Sequence, residues 1–238
     1  ISTMSVEEMR SFFGGTQQYK VEGAGTGVIV GKNDSELLIA TNNHVVEGAS
    51  SLSVGFIDKE SVEGEVKGTD VKNDLAVVAV KLSDIPKDTM NQIKIATVGD
   101  SDELQLGDQV VAIGNALGYG QSVTSGYVSA LDRDLTLTDQ NGTTINSTGL
   151  IQTDAAINEG NSGGALLNMN GELIGINEAK TASSSTGTAV DNIEFAIPID
   201  KAETSLKQLM NLTTREKVDE SQASYLGIEG QDVSEEAT

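Results

Sequence analysis

Asn158-Glu159-Gly160-Asn161-Ser162-Gly163-Gly164-Ala165-Leu166 sets one serine among glycines, between an apolar run ending at Ile157 and another starting at Ala165. Glycine reaches positive φ and lets other backbone come close. Such a loop can present the Ser162 hydroxyl while the N–H groups of Gly160 and Ser162 converge on one small space, as an oxyanion hole requires. Taken alone, Gly160-x-Ser162-x-Gly164 reads more readily as a tight turn whose serine fills space. Residues elsewhere in the chain have to separate the two readings.

A serine hydroxyl is a poor nucleophile at neutral pH and needs a general base. The chain has a single histidine, His44, in Ala40-Thr41-Asn42-Asn43-His44-Val45-Val46 at the end of an apolar strand. A third group should orient that imidazole, and Asp74 opens Asp74-Leu75-Ala76-Val77-Val78, a strand that reads as buried on both faces. Each residue has a plain alternative: a histidine beside two valines is commonly structural, and a carboxylate at a strand edge can cap a turn. Chain order discriminates. The α/β-hydrolase elbow places its histidine after the serine, and none follows Ser162. The subtilisin order needs an aspartate well ahead of the histidine in a parallel α/β sheet, whereas only Asp34 precedes His44 and its surroundings are β-rich. The order His44, Asp74, Ser162 is that of two-barrel serine proteases, with base and orienting acid on one half and nucleophile on the other.

Composition agrees with that class and excludes others. The 238 residues suffice for one large all-β domain or two small barrels. With 36 acidic against 15 basic residues and a formal charge of −21, nucleic acid and anionic lipid surfaces are disfavoured as partners. No cysteine and one histidine leave no disulfide, and no metal site or cofactor is expected. Short Val/Ile-rich runs predict strands at 28–30, 37–41, 53–56, 62–67 and 75–80, then at 109–113, 122–130, 150–153, 165–168, 172–177 and 193–197. Ser5 and Glu8 have capping-box spacing, which predicts a short helix or turn there. Tracts 132–149 and 178–192 lack periodicity and read as long loops. Ala202, Leu206, Leu209 and Met210 recur at helical spacing, with Asp200 as N-cap, and predict a C-terminal helix on the second half.

Four motifs carry a specific resemblance: Thr41-Asn42-Asn43-His44-Val45-Val46; Asn73-Asp74-Leu75-Ala76-Val77-Val78; Gln152-Thr153-Asp154-Ala155-Ala156-Ile157-Asn158 with Gly160-Asn161-Ser162-Gly163-Gly164; and Phe195-Ala196-Ile197-Pro198. Together they resemble the HtrA (DegP/DegS-type) family of trypsin-like serine proteases. That resemblance implies an all-β fold of two six-stranded antiparallel barrels with a short C-terminal helix. The protease domain would span 1–212, as barrels of about 1–97 and 98–212, followed by a linker at 213–224. Residues 225–238, opening with Tyr225-Leu226-Gly227-Ile228, resemble the start of a truncated PDZ domain.

The resemblance further implies a serine endopeptidase degrading unfolded or misfolded proteins, with catalytic His44, Asp74 and Ser162 and an oxyanion hole from the backbone of Gly160, Asn161 and Ser162. It implies a homotrimer in a bacterial envelope or at the cell surface, with a membrane anchor ahead of Ile1. A peptide-binding, chaperone-like module with little turnover is the competing reading. The S1 pocket is expected from Ala156, Ile157, Gly175, Ile176 and Asn177, none of them charged, which predicts cleavage after small or aliphatic residues. The family's usual prolines are replaced by Glu159 and Ala165, which would loosen the nucleophile loop. Ordering of the 115–124, 157–161 and 178–192 loops is the expected route of activation.

Overall fold

The computed structural model describes residues 1–10, 16–115, 120–138, 144–178 and 192–215, with side chains outside 5–22 and 136–146. The N-terminal half starts with a hairpin, β1 (Ser2–Arg10) against β2 (Thr16–Ala24), in register from Ser2↔Ala24 to Arg10↔Thr16. Ser5 to Glu8 are therefore strand, not helix. A capping box offers a few local hydrogen bonds, whereas β1 gains a continuous ladder with β2 and a second one with β5. Phe12 and Phe13 lie outside the described residues.

β3 (Val28–Lys32), β4 (Glu36–Thr41), the single turn α1 (Asn43–Val46), β5 (Ser51–Gly55), β6 (Ser61–Asp70) and β7 (Leu75–Lys81) follow. The sheet order is β2-β1-β5-β6-β7-β4-β3, a half-barrel of seven strands that the N-terminal hairpin widens beyond six. Strand β7 shows why an unbroken apolar run is stable here. Leu75, Val77 and Ala79 face one core while Ala76, Val78 and Val80 face another, the two-residue alternation of a strand covered on both sides.

A short helix, α2 (Lys87–Gln92), occupies the connection between halves. Ala96 N–H still bonds Ile29 C=O of the first half (2.8 Å), while Thr97 C=O and Gly99 N–H already pair with Leu173 of the second (2.8 and 2.9 Å). The second half is a closed six-stranded barrel of β8 (Gln109–Gly114), β9 (Ser122–Thr138), β10 (Thr144–Thr153), β11 (Ala165–Leu167), β12 (Leu173–Glu178) and β13 (Glu194–Pro198). Tract 132–149 is not a loop throughout: β9 and β10 extend through much of it as paired arms, because alternate cross-strand hydrogen bonding satisfies a polar backbone without an apolar pattern. All-β architecture, two β units and a short C-terminal helix are as the resemblance implied.

Helix α3 (Ile199–Met210) begins one residue ahead of Asp200, whose side chain does not cap it. The Asp200 carboxylate instead accepts hydrogen bonds from Ser101 N–H (2.5 Å) and Ser101 Oγ (2.6 Å), tying the first turn to the second half. Nor does α3 pack on the second half alone. Ile199, Ala202, Leu206 and Leu209 enter a core that combines Val28, Leu38, Leu75 and Val77 of the half-barrel with Leu150, Leu173, Phe195 and Ile197 of the barrel. Ser205 Oγ bonds Asp70 on β6, and Thr214 bonds both Lys67 Nζ (3.0 Å) and Glu36 (2.5 Å), so the helix and the residues after it are fastened to the first half. An apolar stripe read from sequence gives a helix's buried face but not its partner.

The hydrogen bonds and charges at these contacts lower carboxylate pKa values. For Asp200 the Ser101 hydroxyl is the main cause, joined by backbone N–H groups and opposed by burial. For Glu36 burial pushes upward but is outweighed by hydrogen bonds from Lys67, Thr214 and Asn33. Asp70 follows the same balance, with Asn73 and Ser205 as donors. A carboxylate with a depressed folded pKa stabilises the fold above its unfolded value, near 4, and loses that contribution as pH falls through the folded one. The thermal midpoint should therefore fall as pH drops below about 4, and Asp200→Asn should lower the midpoint at neutral pH while flattening its decline in acid. Leu206→Ala, which empties a site 4% exposed in the shared core, should cost about 2–5 kcal/mol in urea unfolding.

Candidate active site

His44 is the second residue of α1, immediately after β4, so its ring leaves the sheet at the strand's end. Asp74 immediately precedes β7, the strand paired with β4, at a φ of 51° that aspartate tolerates better than most side chains. That backbone is held by its own carbonyl, which accepts hydrogen bonds from Asn42 Nδ2 (3.0 Å) and Asn43 N–H (3.2 Å). The Asp74 carboxylate then takes two hydrogen bonds from one residue: His44 N–H to Oδ1 (3.0 Å) and His44 Nδ1 to Oδ2 (2.7 Å). A carboxylate accepts only, so in the neutral ring Nδ1 carries the proton and Nε2 keeps its lone pair. The His44 side chain is 29% exposed and that of Asp74 5%. The imidazole thus has one side anchored in protein and one open.

The serine loop is two consecutive β-turns sharing Asn161. Asn161 N–H bonds Asn158 C=O (2.9 Å) and Gly164 N–H bonds Asn161 C=O (2.9 Å). The third residue of each turn is a glycine at positive φ, Gly160 at 91° and Gly163 at 79°, as in a type II turn. Ser162 falls at the second position of its turn and Glu159 at the second position of the other, where proline would preset φ; the hydrogen bond closes with glutamate in place. Because Asn161 N–H closes the first turn, it is taken, whereas the N–H groups of Gly160 and Ser162 have no backbone partner among the described residues. Asn161 is thereby a scaffold residue; its side chain is buried against Gly114 and accepts a hydrogen bond from Ser122 Oγ (3.3 Å).

The loop is seated on the strand end that carries His44. A Cβ on Gly163 would collide with Thr41 Oγ1 and the Thr26 carbonyl and come within 3.1 Å of Asn42 N. Ser162 is 5% exposed, and no hydrogen bond joins its Oγ to His44 among the described residues. From beneath, Asn177 supports the loop: its carbonyl accepts from Gly163 N–H (3.0 Å), its N–H donates to Gly164 C=O (2.8 Å), and its Nδ2 donates to Ala165 C=O (3.1 Å).

That placement changes how the five expected pocket residues are read. Asn177 is a prop, fully buried, and Ile176 is sealed in the core shared by the two halves. Ile157 is buried in the barrel core, Ala156 is exposed with its carbonyl bonded by Thr124 Oγ1 (2.8 Å), and Gly175 lies close to Ile197 C=O and Ala196. The tract expected at 178–192 and the PDZ-like 225–238 fall almost wholly outside the described residues. Among the described residues no cluster of His, Cys, Asp and Glu is placed to hold a metal, and no helix is long and apolar enough to cross a membrane.

Thr26, between β2 and β3, was not among the expected site residues. Its N–H donates to Ser162 C=O (2.8 Å) and its Oγ1 to Gly160 C=O (2.7 Å). The only trace in the sequence is its position in Gly25-Thr26-Gly27, a polar residue that glycines allow to come close.

Residues 25–176 match the trypsin-like peptidase domain. Among curated relatives, the serine protease Do-like HtrA of Bacillus subtilis is 39% identical over 217 residues, covering 89% of this chain and 45% of its own length. The periplasmic pH-dependent serine endoprotease DegQ of Escherichia coli is 40% identical over 235 residues, covering 96% of this chain and 46% of its own. The chain thus spans less than half the length of these relatives. A solved structure of a variant of the HtrA-type protease AlgW with decapeptide superposes with a TM-score of 0.71 at 34% identity, covering 99% of this chain and 68% of that one. With its half-barrel joined to a closed six-stranded barrel and these relatives, this chain belongs to the HtrA-type branch of the trypsin-like serine peptidases.

Proposed function

We propose that the chain is the protease unit of an endopeptidase that degrades unfolded or misfolded proteins through an acyl-enzyme on Ser162. The observation that carries this reading is the doubly bonded Asp74–His44 pair at the strand end on which the serine loop is seated. His44 Nε2 takes the Ser162 proton as Oγ attacks the scissile carbonyl, and Asp74 holds the ring and stabilises the imidazolium that results. The Gly160 and Ser162 N–H groups receive the oxyanion. Collapse of the tetrahedral adduct transfers the His44 proton to the leaving amine, and water repeats the sequence to release the acid.

Cleavage follows small or aliphatic P1 residues. Support comes from the absence of charge at Ala156, Ile157, Gly175, Ile176 and Asn177, although burial of the other four leaves Ala156 as the exposed member of the set. An extracytoplasmic location belongs to the same reading, supported by kinship with periplasmic relatives such as DegQ; a homotrimer and a membrane anchor ahead of Ile1 rest on the sequence resemblance alone. The linker at 213–224 and the PDZ-like segment at 225–238 would carry the chain into a peptide-binding domain.

The experiment is covalent labelling with a fluorophosphonate in the presence of unfolded substrate. Labelling is expected on Ser162 in the wild type, absent in Ser162→Ala, and lost in His44→Ala with turnover down roughly 10⁴-fold or more. Wild-type protein that binds unfolded chains but neither labels nor cleaves would establish the chaperone-like reading instead. Sequencing of fragments from an unfolded protein should show Val, Ile or Ala at P1; dominant cleavage after Lys or Arg would overturn the assigned pocket.

A further inference from the structure

Thr26 belongs to the N-terminal half, yet every polar atom it has is hydrogen-bonded and two of them reach the serine loop of the other half. Its N–H donates to Ser162 C=O (2.8 Å), its Oγ1 donates to Gly160 C=O (2.7 Å) and accepts from Asn115 N–H (2.9 Å), and its C=O accepts from Thr41 Oγ1 (2.7 Å). The two carbonyls it holds belong to the same residues, Gly160 and Ser162, whose amides are assigned to the oxyanion.

From this coincidence we infer that Thr26 is a positioning residue for the oxyanion hole, setting the separation and direction of its two donors from the opposite half. The inference rests on the reading of Ser162 as nucleophile. Within one residue the directions of N–H and C=O are related only through φ and ψ. The first turn fixes Gly160 φ at 91°, and the Thr26 hydroxyl, by holding the carbonyl, fixes ψ. Without that hold a glycine is free to rotate between right- and left-handed regions, carrying its amide with it. At Ser162 the Thr26 N–H does the same for the peptide that follows the nucleophile.

Two features make the hold stiff. Threonine is branched at Cβ, which restricts χ1, and Asn115 N–H occupies a lone pair of Oγ1, leaving the hydroxyl proton to point at Gly160 C=O. Gly25 allows the approach, since a Cβ there would strike Val45 and lie 3.3 Å from Ser162 C=O. Asn115, the residue after β8, thereby bears on the hole through the Thr26 hydroxyl.

A residue that only fastened the halves would act on stability, so the test separates stability from turnover. Thr26→Val keeps the shape and removes the hydroxyl; Thr26→Ala removes the whole side chain and keeps the backbone donor; Thr26→Ser keeps the hydroxyl. Turnover per fluorophosphonate-titrated site, KM, affinity for a peptide boronic acid and thermal midpoint are measured for each. For Val and Ala, kcat should fall roughly ten- to a hundredfold, boronate affinity should fall in parallel, and KM should stay near wild type. Ser should restore most of both. Wild-type kcat per titrated site in Val and Ala, or a loss matching only the unfolded fraction, overturns the inference and leaves the proposed function standing. A wild type that does not label at Ser162 removes the proposed function and the inference with it.

Discussion

The contact between Asp74 and His44 is the constraint that the surrounding architecture serves. A buried carboxylate needs hydrogen-bond donors, and here one neighbour supplies two of them, one from its backbone and one from its ring. That arrangement works only if residue 44 stands directly over residue 74. The β4–β7 register secures it by pairing Thr41 with Ala76, and Asn42 and Asn43 secure it by bonding the Asp74 carbonyl. The apolar alternation of β7, buried on both sides, is the foundation beneath a polar pair at its tip.

The serine loop meets the opposite requirement. It must hold two unpaired backbone donors near a buried hydroxyl, which ordinary secondary structure would consume. Two turns sharing Asn161 leave the amides of Gly160 and Ser162 without a backbone partner among the described residues, while Thr26 satisfies the carbonyls. Asn177 from below and Thr26 from the side replace the hydrogen bonds that a strand or helix would supply.

Much of this was legible in the sequence where chemistry and local pattern coincide. Short Val/Ile-rich runs marked the strands from β3 to β13, and the order His44, Asp74, Ser162 pointed to the class. What was illegible depends on partners distant along the chain. Thr26 lies 134 residues from Gly160, and its role is with backbone atoms, which leave no side-chain signature at the other end. Asn177 was read as a pocket wall because position along a strand does not tell prop from lining. Asn161 was read as a hole donor because a turn's hydrogen bond is invisible until its φ values are known. The capping-box spacing at Ser5 was outweighed by ladders whose partners, β2 and β5, no local window contains.

The crossing of α3 onto the half-barrel bears on how the chain is made. Leu38, Ala40, Leu75, Val77 and Ala79 form a face whose cover includes Ile199, Ala202, Leu206 and Leu209, residues that emerge from a ribosome more than a hundred positions later. During synthesis the half-barrel can pair its strands but cannot bury that face, and an exposed apolar sheet surface is the kind of intermediate that self-associates. The chain thus passes, at birth, through a state with an uncovered apolar sheet face, and closes it only when α3 arrives.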